Sequence, residues 1–509
     1  MDDLVQFLSN NWKVLFTGVV VISAVLLAWA LNRWLSGSSK VPVKEVTDAL
    51  VDKYQELFRE KDEQIEALKE AVEALTKQKG LGIRGVLRET VEGLVRQKGP
   101  SIREALRELK EGKPEAAEAI FGQVLERKKG AGAYKEAAAA ARHIGALAYL
   151  HDTQKALSAY TEAVELDPED PDGWNRLGHL HRRVGDLGGA ITAYGRVLAL
   201  GNKVEDKGVI ATAYGSLGNV YLTHGDLEKA ETHYRESLVL FEELDHKESM
   251  ASAYGNLGIV YAKRGDLEKA EEYHRQALAL HEELGRKEGM AASYNNLGIV
   301  YETRGDLAKA EEHHRKALAL HEELDHKQGM ASSYGNLGNV YEMRGELEKA
   351  ETHYRESLAI EEELGHKEGM ANAYGNLGLV YATRGELEKA EEYHLKSLAI
   401  DEELDRKEGM ATAYGNLGLV YKTRGDLAKA EEYHLKSLAL NEELGRREGM
   451  ASQYGNLGNV YETRGELAKA CRAWDKSRRL FRDLGAKDRA EKVQRLMDEA
   501  GCGRKETGK

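Results

Sequence analysis

Residues 251–290 read ASAYGNLGIVYAKRGDLEKAEEYHRQALALHEELGRKEGM, and the rows beginning at 211, 291, 331, 371, 411 and 451 lie over them without a gap. Seven copies of a 40-residue unit therefore follow one another from Ala211. In the quoted copy Tyr254, Leu257, Gly258 and Tyr261 share one face of a first helix, which Gly265-Asp266 ends. A second helix begins near Leu267, turns Ala270, His274, Ala277 and Leu278 inward, and closes at Gly285 or its counterpart. Each unit is a helical hairpin. A hairpin this small cannot bury its own apolar face, so neighbours must stack into a solenoid with a continuous core.

Composition agrees with an all-α reading. The 509 residues hold 42% hydrophobic and 31% charged side chains, enough apolar surface for most of the chain to fold. Five prolines beside 52 glycines disfavour collagen, Pro-rich linkers and Pro-punctuated β folds. With 73 Lys+Arg against 86 Asp+Glu the net charge is −13, so the basic footprint of a nucleic-acid binder is missing. Cys471 and Cys502 are the only cysteines, too few for a disulfide framework and in keeping with a reducing compartment.

The aromatic-x-x-Leu-Gly-x-x-Tyr stretch, followed by Ala, aromatic and Ala, resembles the tetratricopeptide repeat over about residues 100 to 485. Trp174, Leu177, Gly178, Ala190, Tyr194 and Val197 show the pattern in a near-standard unit, and Ala156, Tyr160, Ala163 and Pro168 in the one before. The 40-residue units, with Tyr-Gly-Asn-Leu-Gly and Arg-Gly-Asp/Glu-Leu, are similar to the arrays of kinesin light chains and Pins-type spindle-orientation adaptors. The overall likeness is to a membrane-anchored bacterial repeat protein.

The N-terminus suggests the anchor. Val14 to Leu31 is an uncharged, largely apolar run of 18 residues, and counting on to Leu35 approaches the ~20 needed to cross a bilayer. Trp12, Trp29 and Trp34 lie near its two ends as interfacial anchors, while Asp2 and Asp3 argue against a cleaved signal peptide. Lys13 precedes the run and Arg33, Lys40 and Lys44 follow it, a bias that puts the repeats in the cytoplasm, at a bacterial inner membrane. Val43, Val46, Leu50 and Leu57, then Ile65, Leu68, Val72 and Leu75, form a stripe for a coiled-coil stalk and a homo-oligomer, or for a single amphipathic helix. The expected organisation is a short segment 1–13, a transmembrane helix 14–35, a helical stalk 36–80 and a degenerate hairpin 81–135. Two near-standard repeats 136–205, seven long repeats 206–490 and a capping helix end with polar tail 491–509 complete it.

Helix positions 2, 5, 6, 9, 12 and 13 of each unit share an arc facing away from the buried stripe. In tetratricopeptide arrays, to which the resemblance points, that arc lines the concave groove. Position 6 carries Asn256, Asn296, Asn336, Asn376, Asn416 and Asn456, a ladder of amides able to pair with an extended peptide backbone. Position 9 runs Asn219, Ile259, Ile299, Asn339, Leu379, Leu419 and Asn459, so that Asn returns every third unit. Position 5 is Gly except at Asn295, which keeps the groove open. The same asparagines could instead bond to a neighbouring hairpin. Positions 2 and 5 lack the Lys and Arg with which chaperone-tail receptors clamp carboxylates.

Other constellations are read as structural. His274, His314, His394 and His434 occupy one column that Tyr234, Tyr354 and Trp474 also fill, which suits core packing better than a metal. Gly503 to Lys509 imitates a phosphate loop but lacks its Ser/Thr and a preceding strand. Pairs such as Glu271-Glu272 and Glu282-Glu283 are expected on solvated faces. No catalytic, metal or cofactor site is expected. The expected function is a membrane-anchored scaffold or adaptor that holds a peptide or helix of a protein partner in its groove. The alternative is a structural scaffold that self-assembles at the membrane.

Overall fold

The computed structural model describes residues 113–149 and 151–502, together with Glu104, Ala105 and Glu108. The expected membrane helix and stalk lie outside these residues. Within them no helix is long and apolar enough to cross a membrane. The described residues form twenty α-helices in sequence. Two compact units divide the chain, residues 1–193 and 194–509.

In the first unit, helices α1 (Pro114–Gly130), α2 (Tyr134–Ala148), α3 (Thr153–Leu166) and α4 (Pro171–Arg183) pack each on the next. Ala117 and Phe121 are buried with Ile120 and Val124 against them. Tyr160 sits over Gly145, with Leu177 and Leu180 in the same cluster. Helix α5 (Leu187–Val204) spans the division between the units.

The second unit contains the regular array. Its first helices are α6 (Lys207–His224), α8 (Lys247–Arg264), α10 (Lys287–Arg304), α12 (Lys327–Met343), α14 (Lys367–Thr383), α16 (Lys407–Arg424) and α18 (Arg447–Thr463). Their partners are α7 (Leu227–Glu243), α9 (Leu267–Glu283), α11 (Leu307–Glu323), α13 (Leu347–Leu364), α15 (Leu387–Glu403), α17 (Leu427–Glu443) and α19 (Leu467–Asp483). The ends are set by local chemistry. Gly265 takes φ 80°, which an L side chain resists, and the next residue, Asp266, accepts the Lys269 backbone N–H at 3.2 Å to start α9. At the far end of the hairpin Gly285 has φ 63°, and where Asp245, Asp325 or Asp405 stands instead it adopts φ 50°, 48° or 50°.

Stacking follows from which side chains are small. A Cβ on Gly258 would lie 2.5 Å from the His274 ring, and one on Gly458 would lie 2.3 Å from the Trp474 ring. Glycine at position 8 therefore lets the second helix press its ring onto the first. Leu337, Tyr341, Leu377, Tyr381 and Val420 share one apolar cluster across three successive units. Other clusters bridge neighbouring units in the same way, Tyr261 with Val300, Tyr301 with Val340 and Tyr421 with Val460, as a repeat solenoid requires.

The last hairpin is closed by α20 (Lys487–Glu499), which buries Ala490 and Val493 and packs Leu496 and Met497 on Trp474 and Phe481. This is the expected capping helix. The cysteines depart from expectation, because the turn after α20 brings Cys502 back to Cys471 on α19, with Cα atoms 5.6 Å apart, and a disulfide joins them. Their separation of 31 residues conceals a proximity that only the folded hairpin creates.

Candidate functional site

A cavity of about 200 Å³ opens between the first two long repeats. Thr212, Gly215, Ser216 and Asn219 of α6 form one wall, Ser252, Ala253 and Asn256 of α8 the other, and Tyr234, Ser237 and Phe241 of α7 the floor. Apart from Ala253, these wall residues stand at positions 2, 5, 6 and 9, within the arc read from the helical period. The lining carries no charged side chain, so an anionic tail would find no cation here.

The two asparagine columns separate in the structure. At position 9 the amide oxygens of Asn219 and Asn339 accept from the phenols of Tyr234 (2.8 Å) and Tyr354 (2.7 Å), and that of Asn459 accepts from the Trp474 indole (3.0 Å). Each bond closes within one hairpin. In the other four units the ring is histidine, and position 9 becomes Ile259, Ile299, Leu379 or Leu419. The recurrence of Asn at every third unit thus follows the ring opposite it: a buried phenol or indole there donates to the position-9 amide oxygen. Ile299 and Leu419 stay 46% and 42% exposed on the groove side.

Position 6 behaves differently. Asn256, Asn296, Asn336, Asn376, Asn416 and Asn456 are all half-buried, and their side chains make no hydrogen bond to any described residue. Six amides, one in each unit from the second to the seventh, remain available at the position by which Asn256 lines the cavity.

The histidine column is core. His274, His314, His394 and His434 are at most 2% exposed, and burial pushes His274, His394 and His434 down to about 4. The Nδ1 of His314 faces the Asn295 amide oxygen at 3.2 Å, and that of His434 faces Gln453 at 2.9 Å. Neither ring nitrogen of His394 has a partner. Among the described residues no three His, Cys, Asp or Glu side chains converge as a metal set.

The acidic pairs are not uniformly solvated. Glu271 receives the Tyr301 phenol at 2.6 Å, Arg275 Nε at 3.0 Å and the Arg304 guanidinium, while Arg275 also donates to the Tyr301 oxygen at 2.9 Å. Tyr301 and Arg304 belong to the next unit, so each such glutamate clasps two repeats. Burial opposes ionisation of the equivalent Glu311, but the bonds from Tyr341, Arg344 and Arg315 outweigh it and hold the carboxyl at about 2. In the fifth and sixth units Leu395 and Leu435 replace the arginine of the clasp and are 40% and 45% exposed. Tyr301 stands 30 residues after Glu271 and this offset repeats, but only the stacking of successive hairpins turns it into a contact.

A further column went unnoticed in the sequence. Phe241, which floors the cavity, is followed at 40-residue steps by His281, His321, Glu361, Asp401 and Asn441. From His281 onward each packs over a glycine at the start of the next hairpin, as His321 does over Gly329 and Asp401 over Gly409. This column changes chemistry repeatedly along the array while its surroundings stay nearly constant. That variability was the readable clue.

A family model described as tetratricopeptide repeat matches residues 172–243, 249–323, 289–363, 329–403, 369–443 and 409–483, more than half of the chain. The chain belongs to the tetratricopeptide repeat (TPR) family. Among solved structures, BtubC from P. vanneervenii is 26% identical over 43% of this TPR chain and 90% of its own, with a TM-score of 0.37. The apo form of RapI is 19% identical, covering 54% of this chain and 99% of its own at a TM-score of 0.46. A kinesin light chain of Podosopora anserina with nearly identical TPR-like repeats is 18% identical, covering 39% and 98% at 0.34. No curated protein matches the chain.

Proposed function

We propose that this TPR protein is a non-enzymatic, membrane-anchored scaffold whose groove holds an extended peptide or a helix of a protein partner. The observation that carries the reading is the ladder of six position-6 amides without internal partners, set on a neutral wall of small side chains. An amide offers a donor and an acceptor together, which is what an extended backbone needs at regular intervals. The groove-side Ile259, Ile299, Leu379 and Leu419 supply apolar contact beside it. The N-terminal apolar run would tether the array to a bacterial inner membrane, with the repeats in the cytoplasm and the stalk able to pair copies. Recovery of partners by tagged full-length protein, beside an Asn336→Ala, Asn376→Ala, Asn416→Ala variant, tests this. A partner held by the native protein and lost from the variant supports it; identical recovery by both sinks it.

Self-assembly is the second reading, favoured by the exposed Leu395 and Leu435 on adjoining units. Light scattering of the full chain across the micromolar range separates the two, since assembly through the array demands growth in size with concentration.

A further inference from the structure

We propose that Cys471 and Cys502 form a reversible thiol lock that holds the capping helix on the end of the array. The two sulfurs join α19 to the turn that follows α20, and they are the only cysteines in the chain. Redox chemistry of thiols is therefore confined to this one end.

The helix they secure has a small hold of its own. α20 is 13 residues long, near the limit at which an isolated helix is marginal in water. It fully buries two side chains, Ala490 and Val493, and adds the partly covered Leu496 and Met497. Arg478 of α19 donates to its Gln494 amide oxygen at 2.7 Å, and its own Arg489 lies over the Phe481 ring at 5.7 Å. Interior hairpins of the regular array pack on a hairpin at either side, whereas α20 packs mainly on α19 and reaches α18 through Arg489, which donates to Glu448. The covalent bond thus supplies a constraint that the apolar face does not.

Both cysteines are half-buried rather than sealed in the core, so a small thiol of the glutathione class can reach them. Its thiolate attacks one sulfur, the Cys471–Cys502 bond breaks, and a mixed disulfide forms. A second small thiol displaces the protein sulfur from that mixed disulfide. Two small thiols are oxidised to one small disulfide, and their two electrons and two protons end on Cys471 and Cys502. The helix is then restrained by packing alone, and Trp474 and Phe481, which it covers, become accessible each time it opens. The lock governs the end of the array while the amide ladder in the preceding units is untouched.

Hydrogen exchange read by mass spectrometry on the full chain, with iodoacetamide labelling in parallel, tests the proposal. Without reductant neither cysteine should label. After dithiothreitol both should label, and exchange across residues 487–499 should rise at least tenfold while Lys247–Arg264 is unchanged. Oxidised glutathione should restore the slow exchange. A Cys471→Ser, Cys502→Ser variant should show the fast exchange with no reductant. Two free thiols in the unreduced protein, or equal exchange of residues 487–499 before and after full reduction, would overturn it.

Discussion

The indole Nε1 of Trp474 donates to the amide oxygen of Asn459 at 3.0 Å, and this pair stands where Leu419 and His434 stand one unit earlier. Ring and partner therefore vary together. Replacing Asn459 by Leu strands an indole N–H in a site that is 0% exposed, at a cost of about 1–3 kcal/mol. Adding Trp474→His should recover much of that loss by recreating the Leu–His combination of the preceding unit. Urea midpoints of the two single variants and the double variant check it, and strict additivity would mean the pairing is incidental.

Acid should weaken the array in two stages. Burial pushes His274, His394 and His434 down to about 4, whereas unfolded histidine titrates near 6.5. The folded state refuses protons that the unfolded chain accepts, so their neutral packing is fully favourable above about pH 6.5. It is lost as pH falls toward 4, by about 3 kcal/mol for each ring. A His394→Tyr, Leu379→Asn double variant copies the Tyr354–Asn339 pair and should flatten the stability slope in that window. An unchanged slope would remove His394 from this account.

The inter-repeat clasp predicts a ranking. Glu271→Ala leaves the Tyr301 phenol and two guanidinium groups without their shared acceptor, costing about 1–3 kcal/mol. Glu391→Ala should cost less, because Leu395 already removes one arginine from that clasp. The carboxyl of Glu311, held at about 2 by bonds that overcome its burial, keeps its clasp closed until pH falls well below 4.5. Its contribution is present above the unfolded value and fades below it, a window acidic to that of the histidines. Thermal unfolding of both alanine variants at pH 7 checks the order.

Backbone glycine at position 8 is predicted to be intolerant. Gly298→Ala places a methyl 2.5 Å from the His314 ring, so overpacking of about 1–3 kcal/mol should exceed the helix-propensity gain of about 1 kcal/mol. Circular dichroism melting reads the sign.

What was legible in the sequence were features that repeat within 40 residues. The spacing of Leu257, Gly258 and Tyr261 against Ala270 and His274 fixed both helices, their turn and their buried faces, because a helix exposes its period directly. The arc that lines the cavity between the first two long repeats was legible for the same reason. Three things were not. The Glu271 clasp needs a partner in the following unit, and a glutamate beside another glutamate looks solvated when only its own helix is considered. The roles of Asn459 and Asn456 differ by one turn's neighbour, which asks what lies across the hairpin rather than along it. The Cys471–Cys502 bond depends on α20 returning to α19, a tertiary event with no local signal.

The central claim is that the position-6 amides contact a partner and are not structural. With a partner recovered by the native protein, isothermal titration against the native chain and the Asn336→Ala, Asn376→Ala, Asn416→Ala variant tests it most directly, each protein's thermal midpoint being measured alongside. The variant should bind at least tenfold more weakly, about 1.4 kcal/mol or more, with its midpoint unchanged. Equal affinity, or a loss of stability that accompanies the loss of binding, would contradict it.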